Sequence, residues 1–146
     1  MRTTAIASSL LLLFLSAPAA AKEYVVQMKN NGAKGAMVFE PAFLRIAPGD
    51  TVRFVPSDKT HNAETIPGML PAGAVPFVGK VNQPIAAKLD KPGVYGIECK
   101  SHLSVGMVAV VQVGAGARNV AQAKAVAMKL PPLAKKRMLP ILASVN

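Results

Sequence analysis

The chain has 146 residues, with 17 Lys and Arg against 7 Asp and Glu for a formal net charge of +10, one cysteine and no tryptophan. A single cysteine excludes a disulfide scaffold, and the length suits one domain with a real core. The charge points to acidic partners or surfaces, and two tyrosines with no Arg/Lys-rich helix argue against nucleic acid.

Taken from its start, the chain opens with Arg2 and the apolar run AIASSLLLLFLSAPAAA, short of the roughly 20 apolar residues a membrane span requires. Ala19 and Ala21 fit an A-x-A cleavage site. Residues 1–21 are therefore expected to be a signal peptide, with a mature chain that starts at Lys22 and works in a bacterial periplasm without membrane attachment. The alternative is an uncleaved anchor. Removing 21 of 146 residues leaves 125, and the loss of Arg2 lowers the net charge to +9.

EYVVQMK (23–29) reads as a strand and NNGAKG as a turn. MVFEP and FLRIAPGD give two short extended pieces, stopped at Pro48-Gly49-Asp50. TVRFVP alternates cleanly, with Val52 and Phe54 on one face and Thr51 and Arg53 on the other. Residues 56–84 are rich in Pro, Gly and polar side chains and read mostly as loop. PIAAKLDKPGVYGIEC reads as strand, turn, strand, and MVAVVQV (107–113) as the last strand. Tyr95, Ile97 and Cys99 share one parity, so Cys99 faces the core at a strand's end. Many short strands separated by turn signals predict an antiparallel Greek-key sandwich, a mainly β fold. Tyr95, just after a tight turn in DKPGVY, is placed to bond back to upstream backbone, or is a plain core aromatic. Beyond Gly114-Ala115-Gly116, RNVAQAKAVAMKL predicts a helix with Ala121, Ala125 and Met128 on its inner stripe. A second helix is expected from Pro132, kinked or ended at Pro140. Both are too short to stand alone, so residues 117–146 form a tail packed on a single domain spanning 22–146.

The stretch CKSHLSVGM holds the only cysteine, Cys99, with His102 and Met107; His61, 38 residues upstream of Cys99, is the one other histidine. Each has a bland reading: an inert buried thiol, two loop histidines, a core methionine. Together, as H-x37-C-x2-H-x4-M, they make the donor set of a trigonal His₂Cys site with a weak axial Met, which selects copper for electron transfer. Structural zinc is the competing metal, but its sites close with four Cys or His ligands and only three are present. A catalytic Cys–His pair lacks an orienting third residue and an oxyanion hole.

On GAMVFEP, PGDTVRFVPSDKTHN, PGVYGIEC and the H-x4-M spacing, the chain resembles the pseudoazurin family, blue-copper proteins of the cupredoxin class. The resemblance covers essentially the whole mature chain. It implies an eight-stranded Greek-key sandwich with two C-terminal helices, one copper held by His61, Cys99, His102 and Met107, and no enzymatic activity. It implies a monomeric electron carrier whose partners are acidic redox proteins such as a copper nitrite reductase or a c-type cytochrome. It also puts an amide of Asn62 on the Cys99 sulfur and makes the edge of His102, ringed by Met37, Pro56 and Leu103, the electron port. Ser101 departs from the family's proline before the second histidine and offers a further N–H to the sulfur. Val78 and Glu98 stand where the family has rim lysines, leaving Lys59, Lys80 and Lys100 as rim charges. A copper carrier or chaperone is the alternative function; it calls for a labile, exposed site.

Overall fold

The computed structural model describes residues 20–116 and 118–146; all but the last two residues of the expected signal peptide lie outside that range. The described chain forms eight strands and two helices: β1 (Glu23–Gly32), β2 (Gly35–Glu40), β3 (Phe43–Ile46), β4 (Thr51–Pro56), β5 (Glu64–Thr65), β6 (Ile85–Lys88), β7 (Gly93–Glu98), β8 (Val108–Val113), α1 (Val120–Ala127) and α2 (Pro132–Ala143). β1 outruns the predicted strand by three residues, because Asn31 and Gly32 still pair with Ala36 and Gly35 and only Ala33-Lys34 are left to turn.

Two four-stranded sheets face each other, ordered β2-β1-β4-β6 and β3-β8-β7-β5. The expected antiparallel sandwich is corrected here to a mixed one: β1 runs parallel to β4, and β3 parallel to β8. Long crossovers between the sheets bring these strands side by side in the same direction, and turn chemistry carries no information about such pairings. Between the sheets, Val26, Met28, Phe39, Val52, Phe54, Tyr95, Ile97, Cys99, Met107 and Val111 form the main core. Phe54 meets Phe39 edge-to-face and Phe77 at a tilt, at centroid distances of 5.9 and 5.8 Å. The alternation in TVRFVP is as predicted: Val52 and Phe54 are fully buried, and Arg53 reaches outward to Glu23. Tyr95 donates its hydroxyl to the Lys91 carbonyl at 3.0 Å, so the corner predicted from DKPGVY is made.

Every residue of β7 and β8 is buried, on both faces. This follows from a second core on the outer face, where Met69, Val94, Val108, Val110, Ala123, Ala127, Ala134, Met138 and Leu142 meet. Strands covered on both sides read as continuous apolar runs, as MVAVVQV does. Gly96 serves this layer: a Cβ there would lie 2.7–2.8 Å from Met69 side-chain atoms. The helices pack on the sheet as expected, but α1 presents Ala123 and Ala127, while Ala121, Ala125 and Met128 face solvent. Asn119 is the reason. Its side chain accepts from the Val94 N–H at 2.7 Å and donates to the Val94 carbonyl at 2.8 Å, anchoring the helix start on β7. Positions four and eight residues on from Asn119 then face the sheet. α2 runs through Pro140 to Ala143 instead of stopping there. Pro140 is solvent-exposed and forfeits one hydrogen bond, while Ala134, Met138 and Leu142 hold the opposite face in the core.

Candidate metal centre

β4 ends at Pro56, and the loop beyond it carries His61 to the end of the sandwich. That loop is held from the side: Thr60 N–H donates to Asn82 Oδ1 at 2.5 Å, and Asn82 N–H to the His61 carbonyl at 2.8 Å. Cys99 follows β7 directly. Next comes a 3-10 segment, Lys100–Val105, closed by Gly106 at φ +88°. Its backbone folds back on itself: Cys99 N–H donates to the Met107 carbonyl and Met107 N–H to the His102 carbonyl, both at 3.1 Å. Cys99 and Met107 thus extend the β7–β8 register, in which Glu98 pairs with Val108, by one more step.

Three of the predicted donors converge. His61 Nδ1 lies 3.2 Å from His102 Nδ1 and 3.9 Å from Cys99 Sγ, and His102 Nδ1 lies 3.4 Å from Cys99 Sγ. Among the described residues this is the one group of three or more Cys, His, Asp or Glu side chains placed to hold a metal ion. Met107, fully buried, sits in the same core cluster as Cys99. His61 is fully buried and His102 half-buried.

The donor chemistry fits copper. His61 Nε2 is 2.9 Å from Asn30 Oδ1, an oxygen that can only accept, so Nε2 carries the ring proton and Nδ1 turns a lone pair toward Cys99 and His102. Burial, then the neighbouring His102, hold the His61 pKa below its ordinary value and keep the ring neutral, as a ligand must be. Burial pushes the Cys99 thiol up; the backbone N–H groups of Asn62, His102 and Ser101 oppose it by favouring the thiolate. The Asn62 amide expected at the sulfur is therefore the main-chain one, and the Ser101 N–H, absent from a chain with proline there, joins it. The Asn62 side chain does other work. Its Oδ1 accepts from Lys100 N–H at 2.9 Å while Nδ2 donates to Glu64 Oε2 at 2.9 Å and the Gly79 carbonyl at 3.2 Å, tying the His61 loop to the Cys99 loop.

Glu64 and Glu98 face each other across β5 and β7, and Lys100 Nζ lies 3.8 and 3.6 Å from them. One expectation is corrected by this: Glu98, 2 % exposed, is no rim residue. Lys100 stays exposed and lies over both carboxylates as their counterion. The charge run around Cys99 holds no hint of the arrangement, because strand pairing creates it. Asn30 was likewise missed; KNNG reads locally as turn, and its contact with His61 spans 31 residues.

Burial raises the Glu98 pKa, with Glu64 adding to it and Lys100 opposing. A carboxyl raised in the folded state favours folding below its unfolded pKa and loses that contribution as pH rises through the folded value. Glu98→Gln is therefore expected to stabilise the metal-free protein at neutral pH by on the order of 1 kcal/mol, with no gain near the unfolded glutamate pKa. Chemical denaturation at the two pH values checks this; a gain of equal size at both would mean that burial does not raise the Glu98 pKa.

Comparison with known proteins is consistent with this geometry. Residues 26–114 match the family model for copper binding proteins of the plastocyanin/azurin family. The pseudoazurin of Paracoccus pantotrophus is 46% identical over 96% of this chain and 95% of its own, and that of Methylorubrum extorquens is 46% identical over 88% and 86%. Among solved structures, the pseudoazurin of Methylobacterium extorquens AM1 superposes with a TM-score of 0.81 at 45% identity, covering 85% of this chain and 99% of that one.

Proposed function

Because the chain belongs to the plastocyanin/azurin family of copper-binding proteins, and within it to the pseudoazurins, we propose that His61, Cys99, His102 and Met107 hold its copper and that it carries electrons in the periplasm to acidic redox partners. That it is a copper electron-transfer protein of the cupredoxin fold follows from the family itself. The convergence of two imidazole Nδ1 atoms and one buried sulfur, with the far nitrogen of His61 already satisfied by Asn30, supports the ligand assignment. When bound, copper supplies one-electron redox chemistry.

The residues divide the remaining tasks. His61 is held by Asn30, and the Cys99 and Met107 backbones are held by main-chain bonds to each other and to His102, so the chain itself ties together the segments that carry the donors. His102 is the half-buried member of the set, with partly buried Met37, Pro56 and Leu103 as candidates for the apolar ring at the port. A carrier or chaperone would need its donors open for handover, whereas His61 and Cys99 are sealed. No enzymatic step is assigned; the nitrite reductase or c-type cytochrome is the partner's identity in this reading.

Export is supported at the other end of the chain. Lys22 N–H donates to the buried Asp50 carboxylate at 2.8 Å, and Thr51 N–H to the Lys22 carbonyl at 2.8 Å, while Ala20 and Ala21 are exposed. A chain trimmed to Lys22 keeps these ties. No helix among the described residues is long and apolar enough to cross a membrane.

Adding Cu(II) to the metal-free mature protein tests the reading: an intense blue charge-transfer colour is expected, and a colourless protein that retains only Cu(I) would favour the carrier. For the partner, Lys59 and Lys80 are exposed and form no ion pair among the described residues. Changing both to Glu is expected to slow electron transfer to an acidic partner at low salt. The difference should vanish as the screening length falls below about 8 Å. Stopped-flow rates across a salt series check this, and salt-independent rates would reduce the net charge to a matter of solubility.

A further inference from the structure

Arg137 stands on α2, 31 residues beyond Gly106 and 100 beyond Met37, yet its guanidinium reaches both. Nη1 donates to the Met37 carbonyl at 2.9 Å and to the Gly106 carbonyl at 3.0 Å, and Nη2 donates to the Ala36 carbonyl at 3.0 Å. The arginine stem lies over Gly106, whose Cβ, if it had one, would sit 3.0 Å from Arg137 Cδ and 3.1 Å from the Leu133 carbonyl oxygen. Two of the three backbone positions it holds are unusual. Gly106 is left-handed at φ +88°, and Met37 adopts φ +50° without being glycine.

Three carbonyls from two strand ends meet here, and carbonyls only accept. A group that joins them must supply donors to all three at once, and a planar fork with several N–H groups suits that task where a single ammonium does not. Gly106 closes the 3-10 segment that carries His102 and immediately precedes Met107. We propose that Arg137 is a positioning residue for the metal centre: through the Gly106 carbonyl it fixes the His102–Met107 end of the ligand loop against β2, and so makes the C-terminal tail part of the site. The link to the metal rests on the copper reading above.

Two variants and a control test this. Arg137→Met keeps the apolar stem and removes every donor; Arg137→Lys keeps the charge and loses the fork. In the metal-free protein, amide hydrogen exchange at Gly106 and Met107 is expected to accelerate about tenfold or more in Arg137→Met and less in Arg137→Lys, with the β1–β4 ladder unchanged. In the copper-loaded protein, extraction of the metal by a chelator should speed up by a similar factor, and the charge-transfer spectrum should shift. Arg45→Met is the control, since Arg45 ties the other end of α2 through the Ser144 carbonyl at 2.7 Å without touching the ligand loop. It should leave Gly106 and Met107 as they are. Wild-type exchange at those two amides in Arg137→Met overturns the proposal, and so does equal acceleration in Arg45→Met, which would make the effect one of loosened helix docking. Should Arg137→Met not fold, Arg137→Lys decides by the same amides: faster exchange supports the clamp, unchanged exchange overturns it. A wild-type protein that takes up no copper would remove the copper reading, while the metal-free exchange comparison still decides whether Arg137 holds the loop.

Discussion

Cys99→Ser abolishes the blue colour of the copper-loaded protein and leaves a folded sandwich: this is the larger of the two main expectations. The colour of such a site requires a thiolate donating into the metal, and a serine hydroxyl neither ionises near neutral pH nor offers a soft, polarisable donor. The fold survives for a separate reason. Both hydrogen bonds of Cys99 in the ligand loop, its N–H to Met107 and its carbonyl from His102, are main-chain and remain in the variant. The residue is fully buried, so the cost is that of a hydroxyl in place of a thiol among the same amides, on the order of 1 kcal/mol. His61 and His102 keep their facing Nδ1 atoms, so the variant still takes up metal, weakly and without colour. Visible absorption with far-ultraviolet circular dichroism checks both halves. Persistence of the band would remove Cys99 from the centre, and loss of the β spectrum would mean that the sulfur is needed for packing.

The second large effect is on stability and lies far from the metal. Met138 is fully buried in the outer core, between the α2 partners Ala134 and Leu142 and the outer face of β8 at Val108 and Val110. Met138→Ala is expected to lower the unfolding free energy by about 2–5 kcal/mol through lost transfer energy and the cavity left behind. It should do so in one cooperative transition, because β7 and β8 belong to both cores and an opened tail would expose their outer face to water. Thermal unfolding followed at once by circular dichroism and by tyrosine fluorescence measures this. A sandwich that melts at the wild-type temperature after the tail has come off would make residues 118–146 a separate unit.

What the amino-acid sequence determines by itself is local chemistry. Alternation in TVRFVP sets the inward face of β4, DKPGVY sets the tyrosine corner, and Cys-x2-His-x4-Met puts three donors on one short reversal of the chain, where backbone bonds within the loop keep them together. Those features depend on residues a few positions apart, so periodicity and turn chemistry suffice to read them. His61 joins the set only through the donor types, since no local signal carries a histidine 38 residues upstream to the same place. The tertiary structure decides everything that depends on which distant segments meet. Parallel pairing of β1 with β4 and β3 with β8 makes the sheets mixed, and pairing of β5 with β7 sets Glu64 beside the buried Glu98, with the exposed Lys100 ammonium within ion-pair distance of both. Asn119 on Val94 rotates α1 onto Ala123 and Ala127, Asn30 fixes the tautomer of His61, and Arg137 crosses the molecule to hold the turn before Met107. Each of these is a polar group satisfied by a partner 25 to 100 residues away. Such partners are fixed by the requirement that buried donors and acceptors be paired once the core has closed, and the core closes only in three dimensions.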